Sequence, residues 1–225
     1  MNVYERIVEL LKQEPILQDF KYVKSKYSFI KRVDGIRYDL CLDHQFFFNI
    51  EMSISPIASV RYEVLHKWHE KFNFKSIRDQ RDNYTVGTST IMVGYDHLYR
   101  FKYGGENFDE VYPKLREAII KCMEYTFTTF STMEDFYREK VLPILEEKES
   151  APWCGDDWVF EYLTVCRILH PESYKKLKNV VMDHVNGLTK AEEPNIMEYK
   201  GKWGEILAYL ESIDFSSGKA KLPKK

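Results

Sequence analysis

The chain has 225 residues, enough for one large domain or two small ones and for burying roughly 70% of the unfolded surface. Its 33 basic and 35 acidic side chains leave a net charge of −2, which argues against broad electrostatic binding of nucleic acid or of an anionic membrane. The four cysteines, Cys41, Cys122, Cys154 and Cys166, form no Cys-x-x-Cys pair, so they read as reduced thiols and not as a disulfide framework or a thiolate metal site.

Val3, Ile7, Leu10 and Leu11 repeat at helical spacing, which predicts a helix over 3–12 that Pro15 ends. Glu5, Arg6 and Glu9 break any apolar signal core there, and no apolar run approaches the roughly 18 residues of a membrane span, so a cytoplasmic protein is expected. Next, Val23, Tyr27, Phe29 and Val33 occupy odd positions. Asp34-Gly35 supplies a two-residue hairpin turn, and Ile36, Tyr38, Leu40 and Leu42 follow on even positions. A two-residue loop pairs Val33 with Ile36, Phe29 with Leu40 and Tyr27 with Leu42. Turn length and alternation therefore demand one register.

A third strand reads over 46–55, with Phe46, Phe48, Ile50, Met52 and Ile54 on one face; keeping Leu42 and Phe46 together calls for a three-residue connection, Asp43-His44-Gln45. Pro56 and Ser59 then open a helix to about Phe72, with Ile57, Val60, Val64, Trp68 and Phe72 inward. After a polar loop at 75–83, residues 84–93 read as a further strand with Gly87 as a possible bulge, and Gly104-Gly105 makes a break.

Beyond that break the periodicity is helical. Asp109 is positioned to cap a long helix with Leu115, Ile119, Met123 and Phe127 on its stripe, and Thr132 with Asp135 forms a capping-box pattern. Pro143 ends or kinks the next helix. Asp156 or Asp157 caps another, Pro171 begins one that Gly187 stops, and a last helix spans 203–213. The expected fold is α+β: an antiparallel β-meander covered by helices, followed by an all-helical C-terminal layer. The expected parts are a sheet-containing region at 1–105, a helical region at 106–214 packed on it, and a flexible basic tail at 215–225 carrying Lys219, Lys221, Lys224 and Lys225.

Few residues suggest chemistry. His66 and His69 share a helix face, but without a third ligand they read as a solvated surface and no metal site is expected. Asp39 and Glu51 form an acidic pair on neighbouring strands of the kind seen in metal-dependent nucleases. The lysine such a site needs two residues later is Ser53, and the register above gives the acids ordinary partners, with Arg37 opposite Glu51 and Asp39 opposite Asn49. The alternating charges Arg78, Asp79, Arg81 and Asp82 lie in a loop between a helix and a strand, a favourable place for a docking surface. Trp153, beside Cys154 at a helix start, is a second candidate contact. No phosphate-cradling glycine loop and no nucleophile elbow occur.

The Phe29/Asp34-Gly35 hairpin, Phe48-Asn49-Ile50 and the stretch Arg61 through Trp68 resemble uncharacterised bacterial domains in which a helix precedes a β-meander and then a Trp-bearing helix. The resemblance covers 20–93. Some such domains occur beside toxin-neutralising immunity proteins, which act by binding, so the resemblance implies a binding role. Because every polar cluster has a structural account, the expected function is a non-catalytic protein-binding module without a cofactor, and the charge balance and hydropathy leave another protein as partner, neither a membrane nor a nucleic acid. The alternative class is a hydrolase or metal-dependent nuclease with dispersed active-site residues.

Overall fold

A computed structural model describes residues 2–48, 50–69, 83–150, 158–187 and 196–212. Within them the fold is α+β, with an antiparallel sheet in the N-terminal half and helices beyond it. The chain forms two compact units: Met1–Arg61 with Tyr84–Phe130, and Tyr62–Asn83 with Ser131–Lys225.

The first unit begins with helix α1 (Val3–Leu11), started by a capping box in which Asn2 accepts the Glu5 N–H at 2.8 Å. Strands β1 (Lys21–Val23), β2 (Ser28–Val33), β3 (Ile36–Phe47), β4 (Glu51–Tyr62) and β5 (Val86–Ser89) follow in sheet order, and β6 (Tyr99–Lys102) also pairs with β4. The β2–β3 register is the one the alternation demands: Val33 lies opposite Ile36 and Phe29 opposite Leu40, and the Leu42 N–H donates to the Tyr27 carbonyl at 2.9 Å. Asp34 (φ 51°) and Gly35 (φ 79°) are both left-handed, as a primed two-residue turn requires.

Three expectations are corrected here. The turn placed at 43–45 does not exist; β3 continues through it to Phe47, and the chain reverses over 48–50, where the Ile50 N–H donates to the Phe47 carbonyl at 2.8 Å. Nor does a helix begin at Pro56. Residues 51–62 are one strand, and among the described residues of this stretch the helix is Glu63–His69 (α2). Pro56 is tolerated because on one side of β4 it falls in a gap. There β6 pairs with 51–54 and β5 with 57–60, so the missing N–H costs no ladder bond to either. The strand expected over 84–93 is shorter, passing from β5 into a 3₁₀ turn at Thr90–Val93, and β6 was not expected at all.

Helix α3 (Phe108–Thr129) lies on the same sheet face as α1. Together they bury Ile7, Val8 and Leu11 from α1, Phe29, Leu40, Met52, Ile54 and Phe101 from the sheet, and Leu115, Ile119 and Met123 from α3. Each such side chain contributes roughly 1.5–3 kcal/mol. A bidentate pair from Arg116 to Glu14, at 2.6 and 2.7 Å, ties the end of the α1 segment to α3. Asp109, expected to cap α3, sits in its first turn and meets Arg6 at 3.3 Å. The cap position is Asn107, whose side chain is used elsewhere: it accepts the Lys102 N–H at 2.8 Å and donates to the Arg100 carbonyl at 3.0 Å, occupying backbone groups of β6.

In the second unit, Thr132 and Asp135 form the expected capping box at the start of α4 (Met133–Phe136). A π-helical turn, Tyr137–Val141, leads into α5 (Leu142–Leu145); Pro143 has no N–H to extend a regular ladder, and the wider turn directly precedes it. Helices α6 (Trp158–Leu169), α7 (Pro171–Gly187) and α8 (Ile196–Ser212) complete the unit. Phe136 packs edge-on against Tyr62 and Tyr162, and Phe160 lies tilted against Trp203 at 4.5 Å. His66, read as part of a solvated face, is instead buried, with Nε2 3.0 Å from Glu161 Oε1.

Candidate functional site

The clearest departure from ordinary surface chemistry is the β3–β4 turn. Phe46, Phe47, Phe48 and Ile50 are 55, 40, 93 and 69% exposed. Phe48 is also left-handed at φ 47°, a conformation that costs a bulky residue energy and that glycine or asparagine would adopt more cheaply. An aromatic side chain held in strained backbone and almost wholly in water is not explained by folding. Tyr103 continues the surface, its N–H donating to the Ile50 carbonyl at 2.9 Å.

Beside this tip, on the sheet face opposite the α1–α3 core, lies a cleft of about 180 Å³. Strand pairing builds it: Ser53 of β4 lies opposite Arg100 of β6, so β4 supplies the floor, Ser53 and Ser55. Asp43, Gln45 and Phe47 of β3 form one wall, and His97, Leu98 and Arg100 the other. Arg100 reaches Glu51 at 3.3 Å while its side chain stays 64% exposed, leaving guanidinium donors toward solvent. His44, at the cleft margin, is fixed by rings: it stacks on Tyr4 at 4.3 Å and meets Tyr27 and Phe46 edge-on at 4.4 and 5.4 Å. Its Nδ1 lies 3.3 Å from the Leu42 carbonyl oxygen.

The acidic pair Asp39 and Glu51 is not brought together. Glu51 follows the tip directly, whereas Asp39 lies on the order of 25 Å back along β3, at about 3.3 Å per residue. The expected cross-strand partners, Arg37 for Glu51 and Asn49 for Asp39, go with the misplaced turn. Asp39 instead receives the Arg37 Nε–H at 2.6 Å with both side chains buried. Burial pushes the Asp39 carboxyl above its ordinary value, although the Arg37 charge and hydrogen bond pull it down. Burial likewise raises the Cys41 thiol, the opposite of what an activated nucleophile needs.

Arg78, Asp79, Arg81, Asp82 and Trp153 lie outside the described residues, as do Cys154 and the side chain of His69. Among the described residues no three His, Cys, Asp or Glu side chains are grouped to hold a metal ion, and no helix is long and apolar enough to cross a membrane. The tip was missed although the sequence carries a signal for it: three consecutive phenylalanines cannot all serve one sheet face, and Asn49 beside them is a turn former. Comparison with protein-family models, with curated proteins and with solved structures finds no match.

Proposed function

We propose that the chain is a non-catalytic protein-binding module whose contact surface is the aromatic β3–β4 tip together with the cleft beside it. Phe48 carries this reading, because an aromatic ring 93% exposed on a left-handed backbone is costly unless a partner covers it. Aromatic anchors surrounded by polar and charged side chains are the usual make-up of a protein contact. Occlusion of a toxin, the role suggested by the family resemblance, is work of this kind. The free thiols of Cys41, Cys122 and Cys166 suit a reducing compartment, so the reading includes a cytoplasmic site of action.

The test is a photo-crosslinking residue at position 48 of the full chain, with a second placed at Lys178, on α7 in the second unit, as control. A discrete protein adduct formed from position 48 and absent from position 178 is expected. Absence of any protein adduct at position 48 in cells producing the chain at its natural level would overturn the reading.

A further inference from the structure

Resting on that reading, we infer that the protein met by the tip is a second copy of this chain, joined about a two-fold axis with each Phe48 seated in the other copy's cleft. The first argument is size. Phe46, Phe47, Phe48, Ile50, Leu98 and Tyr103 lie at one end of the sheet, the last two 43 and 57% exposed. At about 200 Å² per large side chain, these exposures amount to about 700 Å² of apolar surface. That approaches the roughly 800 Å² that each partner contributes to a stable interface.

The second argument is charge. Among the described residues beside the tip are the acids Asp43 and Glu51 and the bases Arg100 and Lys102. A rim balanced in this way is self-complementary, so an isologous contact can bring each acid toward a base of the other copy. An anionic lipid surface or a nucleic acid would instead favour a rim of one positive sign.

The third argument is shape. The tip offers a single projecting ring, and the cleft beside it measures about 180 Å³. A cavity of about 150 Å³ holds benzene, so the cleft admits a phenyl ring. Phe47 and Leu98 supply apolar walls, and the Arg100 guanidinium supplies a planar cation for the ring face. Strand-to-strand addition does not compete on the flank of β6, because Asn107 already bonds the Lys102 N–H and the Arg100 carbonyl.

Sedimentation velocity of the full chain over a wide concentration range tests this. A concentration-dependent dimer is expected, weakened at least about tenfold by Phe48→Ala, as for an interface hot spot. Ser55→Phe, which fills the cleft and keeps the ring, should weaken it comparably. Circular dichroism checks that both variants remain folded. Mixing the two variants should then restore part of the association, because one ring and one cleft remain to meet. A wild-type chain monomeric at every concentration, or a dimer indifferent to both substitutions, would overturn the inference. So would failure of the folded variants to complement each other. Crosslinking from position 48 to a different protein would leave the binding reading standing while this inference fails.

Discussion

Arg37 and Asp39 alternate with core residues along β3, and their 2.6 Å contact is buried on both sides. The pair joins two buried side chains on neighbouring turns of the strand's pleat. Asp39 Oδ1 has no hydrogen-bond partner, which is consistent with a carboxyl whose ordinary value is raised by burial. Asp39→Ala removes a buried carboxylate that accepts from the Arg37 guanidinium at 2.6 Å, and a loss of about 3 kcal/mol in denaturant unfolding is expected. A loss below about 1 kcal/mol would mean that the pair does not hold the strand. Gly35 is constrained differently: nothing lies within 4 Å of the position a Cβ would take, so the cost of substitution is conformational alone. Gly35→Val, placing a β-branched residue at φ 79°, should lower stability by about 1–3 kcal/mol, and an unchanged melting temperature would contradict the primed turn.

At the scale of elements, the first turn of α4 is held by its cap. Asp135 accepts hydrogen bonds from the Thr132 and Ser131 hydroxyls and from Arg138. These, with Thr132 the strongest contributor, hold the carboxyl at about 2, against an ordinary value of 3.8. Because the folded value lies below the unfolded one, the ionised carboxylate stabilises fully above pH 3.8, and that contribution disappears as the pH falls through 3.8 toward 2. Asp135→Asn should therefore lose stability at neutral pH and show a shallower decline between pH 4 and 2 than wild type, as read by thermal melts across that range. Equal slopes would refute the assignment.

This cap and the β2–β3 hairpin were legible in the sequence because each is specified by neighbouring residues: a hydroxyl three positions before a carboxylate, or two turn residues between alternating strands. The β3–β4 turn was not. Leu42 and Phe46 share a face whether a three-residue loop separates them or the strand simply continues, so parity cannot locate the reversal. Residues 57–62 misled for a related reason. Ala58 and Val60 alternate into the core while Ser59 and Arg61 are buried on the other face, and a strand buried on both faces loses its period-two signature. Alternation alone therefore assigns the tip's apolar side chains to the core.

For the molecule as a whole, the useful fact is how the aromatic side chains are divided. The segments of the first unit, 1–61 and 84–130, contain no tryptophan, whereas Trp203 is buried in the second. Tryptophan emission therefore reports on the second unit alone, whereas the sheet is visible through backbone probes. Each unit has its own apolar interior: Leu40 is fully buried in the first and Leu163 in the second. Truncating either to alanine should cost about 2–5 kcal/mol locally. Native-state opening tends to follow such cooperative units. Leu40→Ala should therefore speed amide exchange chiefly in peptides from 2–61 and 84–130, and shift the tryptophan-monitored midpoint less than Leu163→Ala does. Leu163→Ala should speed exchange chiefly beyond residue 131. Peptide-resolved exchange by mass spectrometry distinguishes the cases. If both variants accelerated exchange evenly along the chain, the two units would share one cooperative transition, and the tryptophan signal would serve as a probe of the entire fold.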